Sequence, residues 1–426
     1  MIARKRSVNA ARRKRRRHVD PVLTVVCLAI AATQSAWAVI VPILPLYVEQ
    51  FDASALDLGI VVALFGVGRL LANIPAGFLC QYFDPRKILV FSVLGVVVCL
   101  TLTGFVSTFR ALLVLRLLTG IAGGVAITSG ITLVAMMTVP SSRGFTMSML
   151  HSVQLVGSSS GMALGGVVYA AWGDRAPFLV CGVFAAAVLA GGSPFLFRSP
   201  HPSAAAHPAT PRPPSTGTRP AARALLRDRS FLALCAVGFS VFFHRFGGLQ
   251  SVLPLFAYSV VGLGVAEYAW LQGSVGIAGL GLAVLAGILS DRLGRKAIIT
   301  SGLAIAGFGL PILALTDDVQ WFVAVVLVTS LAVGFSGPPQ QAYLADIAPP
   351  TALGPAIGVF RSVGDLAGII GPIVLGLVAD YAGLQAAVLV LSAVMIIPVL
   401  LFALTAKEAP GRRRSALQAP EKGTVH

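Results

Sequence analysis

Apolar positions along this chain come in unbroken runs of about twenty residues. Twelve such segments are centred near residues 35, 69, 97, 125, 157, 187, 244, 278, 306, 333, 366 and 394. A helix that crosses a membrane needs roughly 20 mostly apolar residues. A membrane β-barrel would show period-two alternation in segments of about ten residues. These runs are rich in Gly, Val, Ala and Leu and do not alternate. The pattern predicts an all-α membrane protein with twelve transmembrane helices.

The segments repeat. ILPLYV at Ile43 returns as VLPLFA at Val252, an offset of 209. GFLCQYFDPRK at Gly77 returns as GILSDRLGRK at Gly287, Pro140 as Pro350, and GMALGG at Gly161 as GPIVLG at Gly371, each at an offset of 210. One spacing across four landmarks predicts two pseudo-symmetric six-helix halves, residues 21–198 and 229–406. A basic tail (1–20) precedes them, a Pro-rich linker (199–228) joins them, and a second tail (407–426) follows. Parallel six-helix repeats are a transporter architecture, with the binding site between the halves near the bilayer midplane.

Composition agrees: 56% of residues are hydrophobic and 11% charged, against about 25% charged in a soluble domain. The formal net charge is +16, which in a soluble chain would suggest nucleic acid. Here position decides. Of the 32 Lys and Arg, all but Arg69, Arg110, Arg116, Arg175, Arg245 and Arg361 fall in tails or loops on one side of an alternating topology. The positive-inside rule makes that side, and both termini, cytoplasmic. RRKRRR before an apolar run resembles a cleavable signal, but the run continues through VIVPILPLYV as one spanning helix. The five cysteines (Cys27, Cys80, Cys99, Cys181, Cys235) lie in or at the ends of apolar segments without a CxxC and read as core residues. No phosphate-binding G-x-x-x-x-G-K-[ST] loop occurs, and no catalytic residue, metal or cofactor is expected.

These residues resemble the major facilitator superfamily over nearly the whole length. GILSDRLGRK fits that family's loop signature, with Ile288 at a variable position. Arg116-x-x-Thr119-Gly120 in the fourth segment is similar to its second signature. Gly157-SSS-Gly161-MAL-Gly165-Gly166 in the fifth is similar to its antiporter glycine signature, with Met162 where that signature has Pro; Pro372 holds the equivalent place in the eleventh.

The loop motif (Gly287, Asp291, Arg292, Gly294, Arg295, Lys296) is expected to gate. Gly287 would let the eighth helix pack closely, and the three bases would face anionic headgroups. Asp291 would meet the start of the fifth helix near Arg143 and Gly144, where an acid gains roughly 0.3–1 kcal/mol from the helix dipole. The resemblance implies that this latch favours an outward-open state; the alternative is that the bases only set topology. The first-half copy, with Gln81 and Tyr82 at the acid and arginine positions, should latch weakly. Gly157, Gly161 and Gly165, and Gly368, Gly371, Pro372 and Gly376, are expected to form small-residue faces on the fifth and eleventh helices. These faces either slide on the opposite half or serve static contact.

Polar groups at membrane depth are functional candidates. The resemblance places the first, fourth, seventh and tenth helices around a cavity, making Gln34, Trp37, His244, Arg245, Gln250, Gln340, Gln341 and Tyr343 its candidate lining. Arg116, His151 and Asp365 are candidate coupling groups. Arg69 has a bland reading, an interhelical bond to carbonyls. The first segment has no acid before Glu49, whereas drug/proton antiporters of the family often carry one there. The expected function is proton-coupled efflux of small drug-like organic molecules by alternating access. The alternatives are transport of an anionic metabolite paired to Arg245 and a membrane receptor that moves nothing. The expected setting is the plasma membrane, as a monomer, with lipid, a small-molecule substrate and protons as partners and no nucleic acid. Reporter fusions near Thr216 and at the C-terminus should both report cytoplasm; a periplasmic signal at either overturns the twelve-helix topology.

Overall fold

The computed structural model describes residues 21–138, 143–198, 224–349 and 352–408. Expectations for the tail at 1–20, the linker at 199–223, the tail beyond 408, and the landmarks Pro140 and Pro350 lie outside them. The described residues are helical, with no strand among them. The helices are α1 (Pro21–Ala38), α2 (Leu44–Glu49), α3 (Ala55–Tyr82), α4 (Pro85–Thr103), α5 (Phe109–Met137), α6 (Arg143–Trp172) and α7 (Ala176–Arg198). After the linker come α8 (Arg229–Phe243), α9 (Leu253–Ser259), α10 (Val265–Leu293), α11 (Arg295–Gly309), α12 (Val319–Ile347), α13 (Leu353–Ala382) and α14 (Leu384–Thr405). Among the described residues, ten helices are long and apolar enough to cross a membrane. The apolar part of α1 is shorter, and the GSSSG run lowers the hydropathy of α6.

The ends of these helices follow local chemistry. Ser54 and Asp57 form a reciprocal capping box at α3. Asp84, Asp228 and Asp318 accept backbone N–H bonds at the starts of α4, α8 and α12. Gly294 turns the chain between α10 and α11 at φ +102°, a conformation that side-chain-bearing residues rarely adopt.

One expectation is corrected here: the run through VIVPILPLYV is not one helix. Val39–Ile43 form turns between α1 and α2. Pro42 and Pro45 have no N–H to give, and the backbone shifts to shorter bonds such as Val41 N–H to the Ala38 carbonyl, 3.1 Å. The second half breaks at the matching place. A π-helical segment, His244–Val252, separates α8 from α9, and α9 begins LPL as α2 does.

The helices before the linker pack on one another, α3 on α5, α4 on α5 and α7, and α1 on α6 and α7. Those after it do likewise, α11 on α12 and α14, and α8 on α13 and α14. The two groups meet along α3 with α13 and along α6 with α10. We call the end with the α3–α4 and α10–α11 turns the basic end.

The glycine faces divide differently from expectation. Gly157 and Gly161 lie against Ala31 and Ser35 of α1, and Gly165 against Val39 just after it, inside their own group, and the Ser35 hydroxyl donates to the Gly157 carbonyl at 2.7 Å. The face of α6 toward α10 carries Gly166 instead, against Val265, Ala266 and Ala269, and Ser159 and Ala163 against Gly276 and Gly273. On α13, Gly368 and Gly371 meet Phe246 and Phe243, while Gly376 meets Ala55 of α3, and the Pro372 carbonyl crowds Gly59. Gly287 is also corrected: a Cβ there meets nothing within 4 Å.

Gly161→Leu is expected to force α1 and α6 apart, since its Cβ would lie 2.6 Å from the Ser35 carbonyl oxygen. Overpacking of this kind costs about 1–3 kcal/mol. Gly287→Ala should be neutral or slightly stabilising. Thermal unfolding in detergent compares them; equal midpoints would refute the assignment.

Candidate functional site

Four helical segments bring charge into the middle of the molecule. Arg69 of α3 reaches Asp365 of α13, Nη2 to Oδ1 at 2.7 Å, joining the two helix groups. The side chains are 23% and 14% exposed, so the pair is shielded but reachable. Arg69, read from sequence as a carbonyl donor, is thus the partner of the one deep acid. Its guanidinium also lies 5.6 Å from the centre of the Phe246 ring. Arg245, next along the π-helical segment, is half-buried and within electrostatic range of Arg69. No ion pair or hydrogen bond holds Arg245 among the described residues.

An aromatic layer adjoins these charges. Trp37 stacks on Phe65 of α3 with ring centres 5.8 Å apart, and Phe246 lies 6.5 Å from Trp37. Gln34 accepts the Trp37 indole N–H at 3.0 Å and holds the ring in place. Arg116 of α5 is buried, with its guanidinium 5.4 Å from the centre of Phe65 and its Nε–H 3.5 Å from the Val61 carbonyl. Met162 packs against Trp37 and Phe65.

Several candidates stand elsewhere. His244 is fully buried and sits beside Gly248, which lies against Leu391 of α14; neither ring nitrogen has a hydrogen-bond partner. It belongs to the contact of the second group with itself. Gln340 is buried and donates to Ser336 at 2.9 Å, and Ser336 lies toward Gly302 of α11. Tyr343 donates to the Lys407 carbonyl at 2.6 Å and packs edge-on to Phe402. None of these three lines the space between the groups. One residue of register decides this, because a helix turns each successive side chain by about 100°. Gln250 is buried with an unpaired amide nitrogen, and Gln341 is exposed. The His151 side chain lies outside the described residues.

At the basic end the loop motif closes on its own group. Asp291 pairs with Arg295 four residues on, not with the start of α6. Arg295 is buried rather than at the headgroups; it also bonds Asp346 of α12 at 3.2 Å and the Ser290 hydroxyl at 3.0 Å. Lys296 donates to the Ala406 carbonyl at 2.7 Å, and Arg292 is exposed. At the opposite end the groups are tied together. The Ala55 and Leu56 N–H groups both donate to the Asp380 carboxylate at 2.9 Å. Tyr258 donates to the Pro42 carbonyl.

Sequence reading missed Phe65, Phe246, Asp346 and Asp380. The aromatics look like core residues in any apolar helix. The two acids sit at helix ends, where nothing local names a partner.

The family model described as Major Facilitator Superfamily matches residues 26–281 and 246–425. The chain is 26% identical to the tetracycline resistance protein, class H, of Pasteurella multocida, over 80% of this chain and 85% of that one. It is 26% identical to the multidrug resistance protein MdtG of Proteus mirabilis (strain HI4320), over 85% and 90%. Its fold resembles that of a bacterial homologue of the human lysosomal transporter Spinster, solved inward-facing and unoccupied. The TM-score is 0.74 at 17% identity, covering 90% of this chain and 95% of that one.

Arg295→Ala should lower the unfolding temperature in detergent, since bonds to charged partners contribute about 1.5–3 kcal/mol each when buried. Arg292→Ala, at an exposed site, should leave it unchanged. Equal shifts for the two would remove the distinction between a structural and a surface base.

Proposed function

The chain belongs to the Major Facilitator Superfamily, and on that premise we propose that it exports small drug-like organic molecules by alternating access, coupled to protons through Asp365. That it is a multi-pass membrane transporter rather than an enzyme follows from the family. The finer reading comprises twelve spans in two pseudo-symmetric halves, the basic end and both termini in the cytoplasm, a plasma-membrane location and a monomer. α1 with α2, and α8 with α9 across the π-helical segment, supply the interrupted spans of that count. Likeness to tetracycline and multidrug resistance proteins supports a drug-like substrate.

The observation that carries the coupling is the Arg69–Asp365 pair between α3 and α13. A paired charge in a low-dielectric interior is tolerable, and a stranded one is not. Protonating Asp365 removes the attraction across the groups and leaves Arg69 seeking another partner. A proton therefore biases the contact on which reorientation depends. The ties at Asp380 and Tyr258 close the end opposite the bases, while Asp291 stays with Arg295. This combination suits a state open toward the basic end. We read Asp291 as able to leave Arg295, which keeps Asp346, and to latch the other closure with the α6 helix N-terminus as its partner.

Asp365→Asn keeps the shape of the side chain but is neutral at every pH, so it can neither bind nor release the coupling proton. In proteoliposomes with an imposed pH gradient it should abolish gradient-driven transport, while exchange without a gradient survives. Because the substitution strands Arg69, the double variant Arg69→Gln/Asp365→Asn serves as the stability control. Gradient-driven transport unchanged in Asp365→Asn sinks the coupling assignment.

A further inference from the structure

We propose that Arg245, next to Phe246 of the Trp37–Phe65–Phe246 layer, recognises an aromatic organic anion, a flat ring bearing a carboxylate or similar group. The proposal rests on the transporter reading and sharpens its substrate class from drug-like to aromatic and negatively charged.

The first argument is charge. Among the described residues three guanidiniums, Arg69, Arg116 and Arg245, lie in the middle of the molecule away from the basic end with one carboxylate, Asp365, which Arg69 holds at 2.7 Å. Arg116 has a ring face and a backbone carbonyl. Arg245 has neither acid nor carbonyl among the described residues, and the nearby Arg69 charge repels it. An interior cation left in this condition is costly unless something neutralises it. Water reaching a half-buried side chain lowers that cost, and a substrate anion removes it.

Placement is the second argument. Most neighbours of Arg245 lie against their own group, whereas Phe246 also meets Trp37 and Arg69 of the first. Phe243 and Gly247 lie against Gly371, Gly248 lies against Leu391, and Phe246 meets Gly368. Four residues beyond Arg245, the Leu249 carbonyl accepts the Tyr268 hydroxyl of α10 at 2.9 Å. That stretch of the π-helical segment therefore lies beside α10, and the closeness of Arg245 to Arg69 sets its charge near the α3–α13 contact between the groups. A π-helical segment resets the side-chain register within a helix and recurs at functional sites. Here it sets Phe246 and Arg245 side by side while His244 turns inward.

The third argument is the ring layer. On α3, which runs toward the basic end, Phe65 comes one turn before Arg69, so its ring lies farther from that end. Trp37 stacks on it, and Phe246 completes the layer from the second group. The rings are buried in this state, so a solute arriving from the basic end would meet the guanidinium with its anionic group and would have to part the rings to set its aromatic face against them. The planar fork of Arg245 suits a carboxylate bidentately, and offset or edge-on ring contact adds to it. An ammonium compound would meet net positive charge and be rejected.

Isothermal titration of the full chain in lipid nanodiscs tests this with four probes: 2-naphthoate, 2-naphthamide, cyclohexanecarboxylate and 2-naphthylmethylammonium. Naphthoate should bind at least about tenfold tighter than each of the others, the loss expected when one charge-assisted pair or ring contact is removed. Arg245→Ala should weaken naphthoate by at least about tenfold while leaving naphthamide unchanged. Arg245→Lys, which keeps charge and bulk, guards against a folding defect and should retain part of the affinity. Absence of naphthoate binding, equal or tighter binding of the amide or the ammonium compound, or full affinity in folded Arg245→Ala overturns the proposal. Counterflow in proteoliposomes separates it from the transporter reading. Selective naphthoate binding without movement upholds recognition and removes transport; movement of a cationic drug with no naphthoate preference does the reverse.

Discussion

In hydrocarbon no water satisfies a stray backbone group or a stray charge, and most of this structure follows from that constraint. Helices answer it for the backbone. Where the helices break, at Val39–Ile43 and across His244–Val252, the freed groups find partners within the protein. The Leu249 carbonyl takes two donors of α10, Tyr268 and, at 3.5 Å, Gln272, and the Pro42 carbonyl takes Tyr258. A shorter irregular stretch, the 3-10 turn Leu310–Leu315, follows α11.

The same constraint orders the charges. Arg69 and Asp365 satisfy each other only because α3 and α13 run side by side with small residues between them. Gly59 on the Pro372 carbonyl and Gly376 on Ala55 bring the backbones close. Asp380 then reaches the start of α3, where its charge is worth about 0.3–1 kcal/mol against the helix dipole. A contact built of one ion pair, one dipole interaction and glycine faces has little to hold it beyond shape. On the proposed coupling, neutralising the ion pair opens it, which a side-by-side leucine interface would not allow. The α1–α6 contact, closed over Gly157, Gly161 and Gly165, has no ion pair in it among the described residues.

The loop at Gly294 plays a different part from its count of bases. Arg295 is buried between Asp291 and Asp346 and ties α10, α11 and α12 together. The weakened first-half copy keeps this element: Arg86 is buried at the start of α4 and donates to the Leu196 carbonyl at 2.8 Å. Gln81 and Tyr82 stand there in place of the acid and the first arginine, and the buried arginine is held without them.

Hydropathy and charge placement alone determine that this chain is helical, membrane-embedded and internally repeated. Those properties depend on composition over windows of twenty residues, and no tertiary contact can reverse them. Individual positions are another matter. Spacing of four put Gly157, Gly161 and Gly165 on one face but could not say which helix they meet; α1 meets them, and α10 meets Gly166. Sequence named Asp365 and Arg245 as deep charges and could not see that Arg69 claims the acid and leaves Arg245 alone. His244 and Arg245 are neighbours in the chain and face opposite surroundings, because a helix rotates each residue by about 100° and a π-helical segment alters that rotation. Which residues share a site is a question of helix phase and of the helix lying alongside, and only the folded arrangement decides it.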